Sequence, residues 1–246
     1  MSLPFHLVPD LAGARVDQVV TVEGDEAHHA VAVRRLRVGE QVALTDGAGT
    51  LVVGAVATTG KRVFTVHVES VHRSERPDPD LVVIQALPKG DRGELAVEVL
   101  TEIGVGRIVP WAASRSVAVW KGERAEKSLT KWRSTAREAA KQARREWHPE
   151  VDPMASTAEA VALVAQADLA VVLHEASVAP LSAMRVPDAG TIVLVVGPEG
   201  GLSGEEVAAF GAVGARSVRL GSEVLRTSTA GVAAAAALLA RTSRWC

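Results

Sequence analysis

Apolar and polar residues follow a strand-like pattern in the first 72 residues of the chain. Residues 42–45 and 50–56 are short apolar runs, separated by the turn 46–49, whose two glycines are typical of a hairpin. Residues 63–71 alternate between apolar and polar side chains with the period of a half-buried strand. Residues 25–37 have a helical pattern that ends before a glycine. Several short strands with one helix predict a small β-barrel.

The pattern changes after residues 74–80, a polar stretch with two prolines that we interpret as a linker. Residues 81–87 are apolar except for Gln85, which is typical of a parallel strand buried on both faces. Further strands are predicted at residues 108–111, 168–173, 191–196 and 217–220, and helices at 93–103, 124–146, 157–166, 204–210 and 228–241. Because strands alternate with helices, the second part of the chain is predicted to be an α/β domain with a mostly parallel sheet.

Three polar loops follow three of these strands, at residues 173–175, 196–203 and 220–230. The carboxyl ends of parallel strands meet at one edge of a sheet, so the three loops are expected to form the walls of one pocket. The second loop has three glycines in five residues and ends in Ser203 and Glu206, which match the S-x-x-E capping box of a helix start. Neither phosphate-binding template, G-x-G-x-x-G or G-x-x-x-x-G-K-[ST], occurs in the chain.

Arg226 precedes the alanine-rich last helix, where Thr227 or Ser228 is expected to be the cap. The helix dipole disfavours a cation at this end, and such local conflicts are concentrated at functional sites. A surface salt bridge, for instance to Glu223, is the structural alternative.

Composition and charge narrow the classes of function. The 246 residues are 48% hydrophobic and 23% charged, which is enough for one large domain or two modest ones and argues against disorder. The net charge is only -2, but residues 121–145 hold nine basic and three acidic side chains. This stretch is either a solvated helix face or a contact for a polyanion.

Several classes of site and location are excluded by what the sequence lacks. No apolar run approaches the roughly 18 residues that span a bilayer, and the N-terminus has no signal-peptide pattern. Cys246 is the only cysteine, so no intrachain disulfide or cysteine-based zinc site is expected. The histidines show no metal-ligand spacing, and no G-x-S-x-G elbow is present. We predict a cytoplasmic protein without a metal and without a membrane contact.

Two motifs resemble a known family. The runs LVVGPEGGLSGEEV (194–207) and LGSEVLRTSTA (220–230) resemble the cofactor-binding end of RsmE-type methyltransferases of the SPOUT superfamily, which methylate N3 of one uridine in small-subunit (16S) ribosomal RNA. Residues 28–49 are similar to the PUA-like RNA-binding barrel of that family, and residues 89–105 and 138–151 to its catalytic-domain helices. The chain has Thr-Ser-Thr at 227–229 where the family more usually has Thr-Glu-Thr, and Ala-Arg at 143–144 in place of Ser-Gly.

The resemblance implies a fold, a cofactor and partners. The fold is an α/β SPOUT domain (81–246) with a C-terminal trefoil knot at about residues 170–235, preceded by the linker (74–80) and a PUA-like β-barrel (1–73). The cofactor is S-adenosylmethionine. The partners are ribosomal RNA or the small ribosomal subunit and a second copy of the chain, since the family is homodimeric.

The resemblance also implies site residues. Arg226 is the candidate catalytic cation, which would stabilise negative charge on the uracil oxygens when the N3 proton leaves. The candidates for cofactor binding are Leu173, His174, Val196, Gly197, Pro198, Glu199, Gly200, Gly201, Leu220, Gly221, Val224, Leu225 and Thr227. The candidates for RNA binding are Arg34, Arg35, Arg37, Lys89, Arg92, Lys141 and Arg145. Glu199 and Glu223 are alternative general bases, and each is equally compatible with a role in holding its loop.

Other functions fit parts of the pattern. A SPOUT methyltransferase that acts on a ribose 2′-hydroxyl of ribosomal or transfer RNA would have the same loops, and product analysis separates it from a base methyltransferase. A non-catalytic RNA-binding assembly factor would keep the fold without a need for S-adenosylmethionine. A dinucleotide oxidoreductase is disfavoured, because its glycine fingerprint is missing.

Overall fold

The structure, a computed structural model, describes residues 3–245 and contains two compact units. The first unit consists of the chain up to Arg76 together with Lys141–His148, and the second of Pro77–Ala140 and the chain from Pro149 onward. Cys246, on which the prediction about disulfides rests, and the first two residues lie outside the described part. Within residues 3–245, no helix combines the length and the hydropathy that a bilayer crossing requires.

The first unit is built on a five-stranded sheet. Its strands are β1 (Phe5–Leu7), β2 (Val19–Glu23), β3 (Gln41–Thr45), β4 (Thr50–Thr59) and β5 (Val63–Arg73), in the order β1-β3-β4-β5-β2. The predicted hairpin and the strand after it are confirmed as β3, β4 and β5, whereas β1 and β2 were not predicted. Ladder hydrogen bonds do not join β1 to β2 among the described residues, so the pairing alone leaves the sheet open.

Alternate side chains of this sheet build the core of the first unit. Val52 and Val56 of β4 and Phe64 and Val66 of β5 are all at most 1% exposed, as the two-residue period of a strand requires. The register between β4 and β5 shifts at Gly54, where a Cβ atom would collide with the carbonyl of His67. Glycine is needed at this bulge because the neighbouring backbone comes so close.

The predicted helix at residues 25–37 is wrong in its last four residues, which are not helical. Helix α1 (Gly24–His28) continues into a π-helical turn at His29–Val33 and then stops. Arg35 has a φ of 58°, and this left-handed residue turns the chain so that Leu36 is buried at 6% exposure. Burial of Leu36 therefore overrides the helical pattern, and the exposed residues Arg34, Arg35 and Arg37 lie on an irregular turn.

A partly buried charge network links the sheet of the first unit to residues 141–148. The carboxylate of Glu26 accepts from Lys141 Nζ at 2.8 Å and lies 3.0 Å from His6 Nδ1. Burial raises the pKa of Glu26, but hydrogen bonds from His6 and Lys141 and the charge of Lys141 outweigh it and lower the pKa to about 2. Lys141 is thus engaged inside the unit, with a side chain only 13% exposed.

The second unit contains a six-stranded sheet in which every pairing is parallel, so the predicted parallel sheet is confirmed. Its strands are β6 (Asp80–Ala86), β7 (Arg107–Trp111), β8 (Glu150–Val151), β9 (Leu169–Leu173), β10 (Thr191–Val196) and β11 (Arg216–Val218). The order is β11-β9-β10-β6-β7-β8. From β6 the chain first builds outward through β7 and β8 and later adds β9, β10 and β11 on the other side.

Helices cover both faces of this sheet. They are α2 (Arg92–Glu102), α3 (Glu123–Gln142), α4 (Thr157–Val164), α5 (Gly204–Ala212) and α6 (Thr227–Leu239). Leu81 and Val83 of β6 pack with α2, α3 and α6, while Val82 and Ile84 pack with α4 and α5. Burial on both faces explains the unbroken apolar run in the sequence.

All five predicted helices are present, with ends that differ by a few residues. The largest difference is at α3, which ends at Gln142 rather than at residue 146. The backbone after it is bonded elsewhere: Gly49 N–H donates to the carbonyl of Glu146 and His148 N–H to that of Gly47, both at 2.9 Å. Arg144, with a φ of 54°, lies in the turn that makes this possible.

Candidate cofactor cavity

The three polar loops of the sequence analysis meet at the carboxyl edge of the parallel sheet. They follow β9, β10 and β11, three adjacent strands, and line one cavity of about 570 Å³. All thirteen residues predicted to bind the cofactor line this cavity, and so does Arg226. The position agrees with the general rule that open α/β sheets bind ligands beyond the carboxyl ends of their strands.

The loop between β10 and α5 is fixed by a buried carboxylate. Ser203 and Glu206 form the predicted capping box: the Ser203 hydroxyl accepts from Glu206 N–H at 3.1 Å, and Glu206 accepts from Ser203 N–H at 2.8 Å. The other oxygen of Glu206 accepts from the N–H of Ser114, in the loop after β7, at 2.7 Å. Glu206 is 4% exposed, so one carboxylate caps α5 and joins two loops beside the cavity.

Glu199 of the same loop is held by the segment that follows β6. Its carboxylate accepts from the backbone N–H of Lys89 at 3.1 Å and lies 3.7 Å from the guanidinium of Arg92. Of the two roles considered for Glu199, general base or loop anchor, these contacts correspond to the loop anchor. Arg92, a predicted RNA-binding residue, is accordingly paired with a cavity residue.

Helix α6 begins differently from the prediction. The sequence predicts Thr227 or Ser228 as the cap, but Thr227 is already the first helical residue. Arg226 is the N-cap, with no side-chain cap hydrogen bond among the described residues. Thr227 and Ser228 are 6% and 3% exposed, so packing draws both hydroxyl residues into the helix. The salt bridge to Glu223 is also absent from the described structure: Glu223 instead accepts from the Ser222 hydroxyl at 2.9 Å.

Arg115 lines the cavity and was missed by the sequence analysis. Its Nη1 lies 3.3 Å from the carbonyl of Leu202 and 3.4 Å from that of Gly200. A Cβ atom at Gly200 would come within 3.1 Å of both the Cβ and the carbonyl oxygen of Arg115, so the two loops pack closely. No motif marks Arg115, because it belongs to the loop after β7, which no sequence pattern connected with the glycine-rich loop.

The predicted RNA-binding residues have different environments. In the first unit, Arg34, Arg35 and Arg37 are exposed, Arg145 is partly exposed, and Lys141 is bound to Glu26. In the second unit, the Lys89 side chain is exposed. Among residues 3–245, no group of three or more histidine or acidic side chains is arranged to hold a metal ion.

Two family models and several curated proteins match this chain. Residues 74–239 match the RNA methyltransferase domain family, and residues 22–69 match the RNA methyltransferase PUA domain. The chain is 43% identical over 231 residues to ribosomal RNA small subunit methyltransferase E of Mycobacterium bovis, covering 92% of this chain and 88% of that one. It is 28% identical to the Bacillus subtilis protein of the same name, with 93% of each covered.

Solved structures resemble the whole chain. A putative methyltransferase from Legionella pneumophila in complex with the bound cofactor SAM has a TM-score of 0.89 at 26% identity, covering 98% of this chain and 99% of that one. Ribosomal RNA small subunit methyltransferase E from Neisseria gonorrhoeae, bound to S-adenosyl methionine, has a TM-score of 0.86 at 27% identity, covering 98% of each. The chain belongs to the RNA methyltransferase family that includes the ribosomal RNA small subunit methyltransferases E.

Proposed function

We propose that this protein transfers a methyl group from S-adenosylmethionine to N3 of a uridine in small-subunit ribosomal RNA. The observation that carries the proposal is the convergence of three loops and Arg226 on one cavity at the carboxyl edge of the sheet. The solved relatives hold S-adenosylmethionine according to their descriptions, and the curated relatives bear the name of a small-subunit ribosomal RNA methyltransferase.

The residues present fit this cofactor. A cavity of about 570 Å³ lies within the range of ordinary ligand pockets, roughly 300–1,000 Å³. We assign the adenine and ribose to backbone groups of Leu173, Gly197, Leu220, Gly221 and Leu225, which line it. When bound, S-adenosylmethionine supplies a methyl group activated by its sulfonium charge.

The protein's own part in the reaction is to manage charge at the acceptor base. Uracil N3 must lose its proton as it accepts the methyl group, and the negative charge spreads onto the two carbonyl oxygens of the base. Arg226 lines the cavity and is always charged, so we assign it the stabilisation of that charge. Glu199 is occupied by Lys89 and Arg92, whereas Glu223 is exposed and bonded to its neighbour Ser222. Of the two alternatives for the base, we therefore favour Glu223.

RNA contact is assigned to each unit separately. We keep Arg34, Arg35 and Arg37 in the first unit and Lys89 in the second as phosphate-binding candidates, because these residues are exposed, and we also keep Arg145, which is partly exposed. Lys141 and Arg92 are expected to contribute less, since Glu26 and Glu199 hold them. The domain division predicted above, with a PUA-like RNA-binding domain at 1–73 and a methyltransferase domain at 81–246, is part of this proposal.

The resemblance adds three further features to the proposal. The C-terminal trefoil knot at about residues 170–235 would bring the three loops together. A homodimer is supported by Val224 and Leu225, which are 74% and 41% exposed in the cavity loop and would gain from coverage by a second copy. A cytoplasmic location follows from a ribosomal RNA substrate.

Product analysis tests the reaction. The purified protein is incubated with S-adenosylmethionine and either small ribosomal subunits or free ribosomal RNA that lack the modification. The RNA is then digested and its nucleosides are examined by mass spectrometry. We expect 3-methyluridine. Methyl groups on ribose would replace the proposal by the ribose-directed alternative, and no methylation together with no binding of S-adenosylmethionine in calorimetry would favour a non-catalytic assembly factor.

A further inference from the structure

Gln85 is an anomaly in β6, a strand whose residues are buried from Leu81 to Ala86. It is the one polar residue among residues 81–87 and is completely buried. By the alternation along β6, its side chain shares a face with Leu81, Val83 and Leu87, which pack in the core that includes α2 and α6. Packing alone would favour an apolar residue at this position.

Only half of the Gln85 amide finds partners. Its Nε2 donates to the carbonyl of Ala86 at 3.1 Å and to that of Thr227 at 3.4 Å. Its Oε1 has no hydrogen-bond partner among residues 3–245. A buried acceptor without a donor destabilises the folded state, so the residue is not explained by stability.

The bond to Thr227 ends at the first turn of α6. Thr227 follows the N-cap Arg226, and both residues line the cofactor cavity. The helix lies close to both the sheet and α2: a Cβ atom at Gly231 would be 3.3 Å from Val196 Cγ2 of β10 and 3.2 Å from Leu100 Cδ2 of α2. Within the turn, the Thr229 hydroxyl donates to the carbonyl of Arg226 at 3.3 Å. The hydrogen bond from Gln85 to the carbonyl of Thr227 does not cap α6, but it ties the same turn to the sheet.

We infer that Gln85 is a positioning residue for methyl transfer, which holds the first turn of α6 so that Arg226 is directed into the cofactor cavity. The inference rests on the proposed role of Arg226 and extends it to a buried residue that does not itself line the cavity. A buried polar residue that costs stability is expected at a functional site, where the position of a neighbouring side chain matters more than local stability.

The first test separates position from stability. Gln85→Met keeps the length of the side chain and removes both the donor and the unpaired acceptor. We expect kcat to fall by roughly ten- to a hundredfold, as for a small misplacement of a reacting group, while the affinity for S-adenosylmethionine changes less than about threefold. The melting temperature should stay or rise. Gln85→Leu is the second apolar variant, should methionine pack poorly.

Val83→Ala is the matched control, because Val83 lies two residues away on the same face of β6. This variant should lower the melting temperature by creating a cavity and leave kcat within about twofold when assayed well below that temperature. If Gln85→Met also lowered the melting temperature and left kcat unchanged, Gln85 would be a structural residue and the inference would be wrong.

A double-mutant cycle with Arg226→Ala tests whether Gln85 acts through Arg226. We expect Gln85→Met to have almost no further effect on kcat once Arg226 is gone. If Arg226→Ala slows the reaction and Gln85→Met multiplies that loss by its full factor, the inference is overturned while the role of Arg226 stands. If Arg226→Ala alone turns over normally, the proposed function of Arg226 fails first, whatever Gln85 does.

Discussion

Two helices begin at the cofactor cavity, and they begin in opposite ways. At α5, the Ser203 hydroxyl and the Glu206 carboxylate satisfy backbone N–H groups reciprocally, and Glu206 also binds the N–H of Ser114. At α6, the N-cap is Arg226, which provides no side-chain cap in the described structure. Both starts belong to loops that line the same cavity.

The difference separates a helix start that serves the fold from one that is available for chemistry. The free N–H groups and the dipole of a helix N-terminus attract negative charge. At α5 the protein itself supplies that charge through the buried carboxylate of Glu206. At α6 it supplies a cation instead, so both the helix end and the guanidinium favour an external group that carries or develops negative charge. A uracil that loses its N3 proton is such a group.

Substitution of Arg226 by serine would convert the second kind of start into the first. Serine is among the best N-cap residues, so we expect Arg226→Ser to raise the free energy of unfolding by about 1 kcal/mol. The rate of methyl transfer should fall by roughly two to three orders of magnitude, as for the loss of one preorganised stabilising group. Urea unfolding and single-turnover methylation measure the two effects on the same preparation.

Arg226→Ala is the control for that experiment, because alanine is a poor cap. It should lose the same factor in rate without the gain in stability, and its affinity for S-adenosylmethionine should be kept. Near-normal turnover of either variant would remove Arg226 from the mechanism and, with it, the functional meaning of the uncapped helix.

Gly197 tests the loop that leads to α5. A Cβ atom there would lie 3.1 Å from Leu202 Cγ and 3.2 Å from its Cδ2, a contact that a small shift relieves. Gly197→Val adds two further methyl groups beside the cavity, and overpacking of this kind costs about 1–3 kcal/mol. We expect the affinity for S-adenosylmethionine to fall roughly a hundredfold in calorimetry, and Gly197→Ala to lose much less. Unchanged affinity in Gly197→Val would contradict the assignment of this loop to the cofactor.

The parts of the site that were predicted from the sequence depend on local signals. Ser203 and Glu206 identify the start of α5 because a capping box needs only four consecutive residues. The glycine-rich loop and its strand are local as well, and parallel pairing then brings the neighbouring loops to the same edge without further information.

The parts that were missed depend on contacts between distant residues. Arg115 reaches the cavity from the loop after β7, and Gln85 binds a carbonyl 142 residues further along the chain. Lys141 was counted with a basic stretch, although Glu26, 115 residues away, holds it inside the first unit. The predicted start of α6 is wrong by one residue. The burial of Thr227 decides where the helix begins, and the residue preferences at helix caps carry no information about burial.

The smallest expected effect concerns the two capping boxes of the second unit, which have the same motif in different surroundings. In α4, Ser156 and Glu159 form an exposed box. In α5, Glu206 is buried and has the additional partner Ser114. In Glu206→Gln, the NH2 group of the amide faces an N–H donor on one side, so one bond must break. We expect this variant to lose about 1.5 kcal/mol of unfolding free energy, as for a hydrogen bond to a charged group.

Glu159→Gln should lose only a small part of that, because its box is in water. The backbone N–H and the hydroxyl of Ser156 lower the pKa of Glu159, so its contribution is present above the ordinary pKa of a glutamate and is lost as the pH falls through the lowered value. The difference between Glu159→Gln and the parent chain should therefore disappear in urea unfolding at acid pH. Equal losses for the two variants at neutral pH would mean that the bond from Glu206 to Ser114 contributes nothing, and α5 would then be an ordinary capped helix that happens to begin beside the cavity.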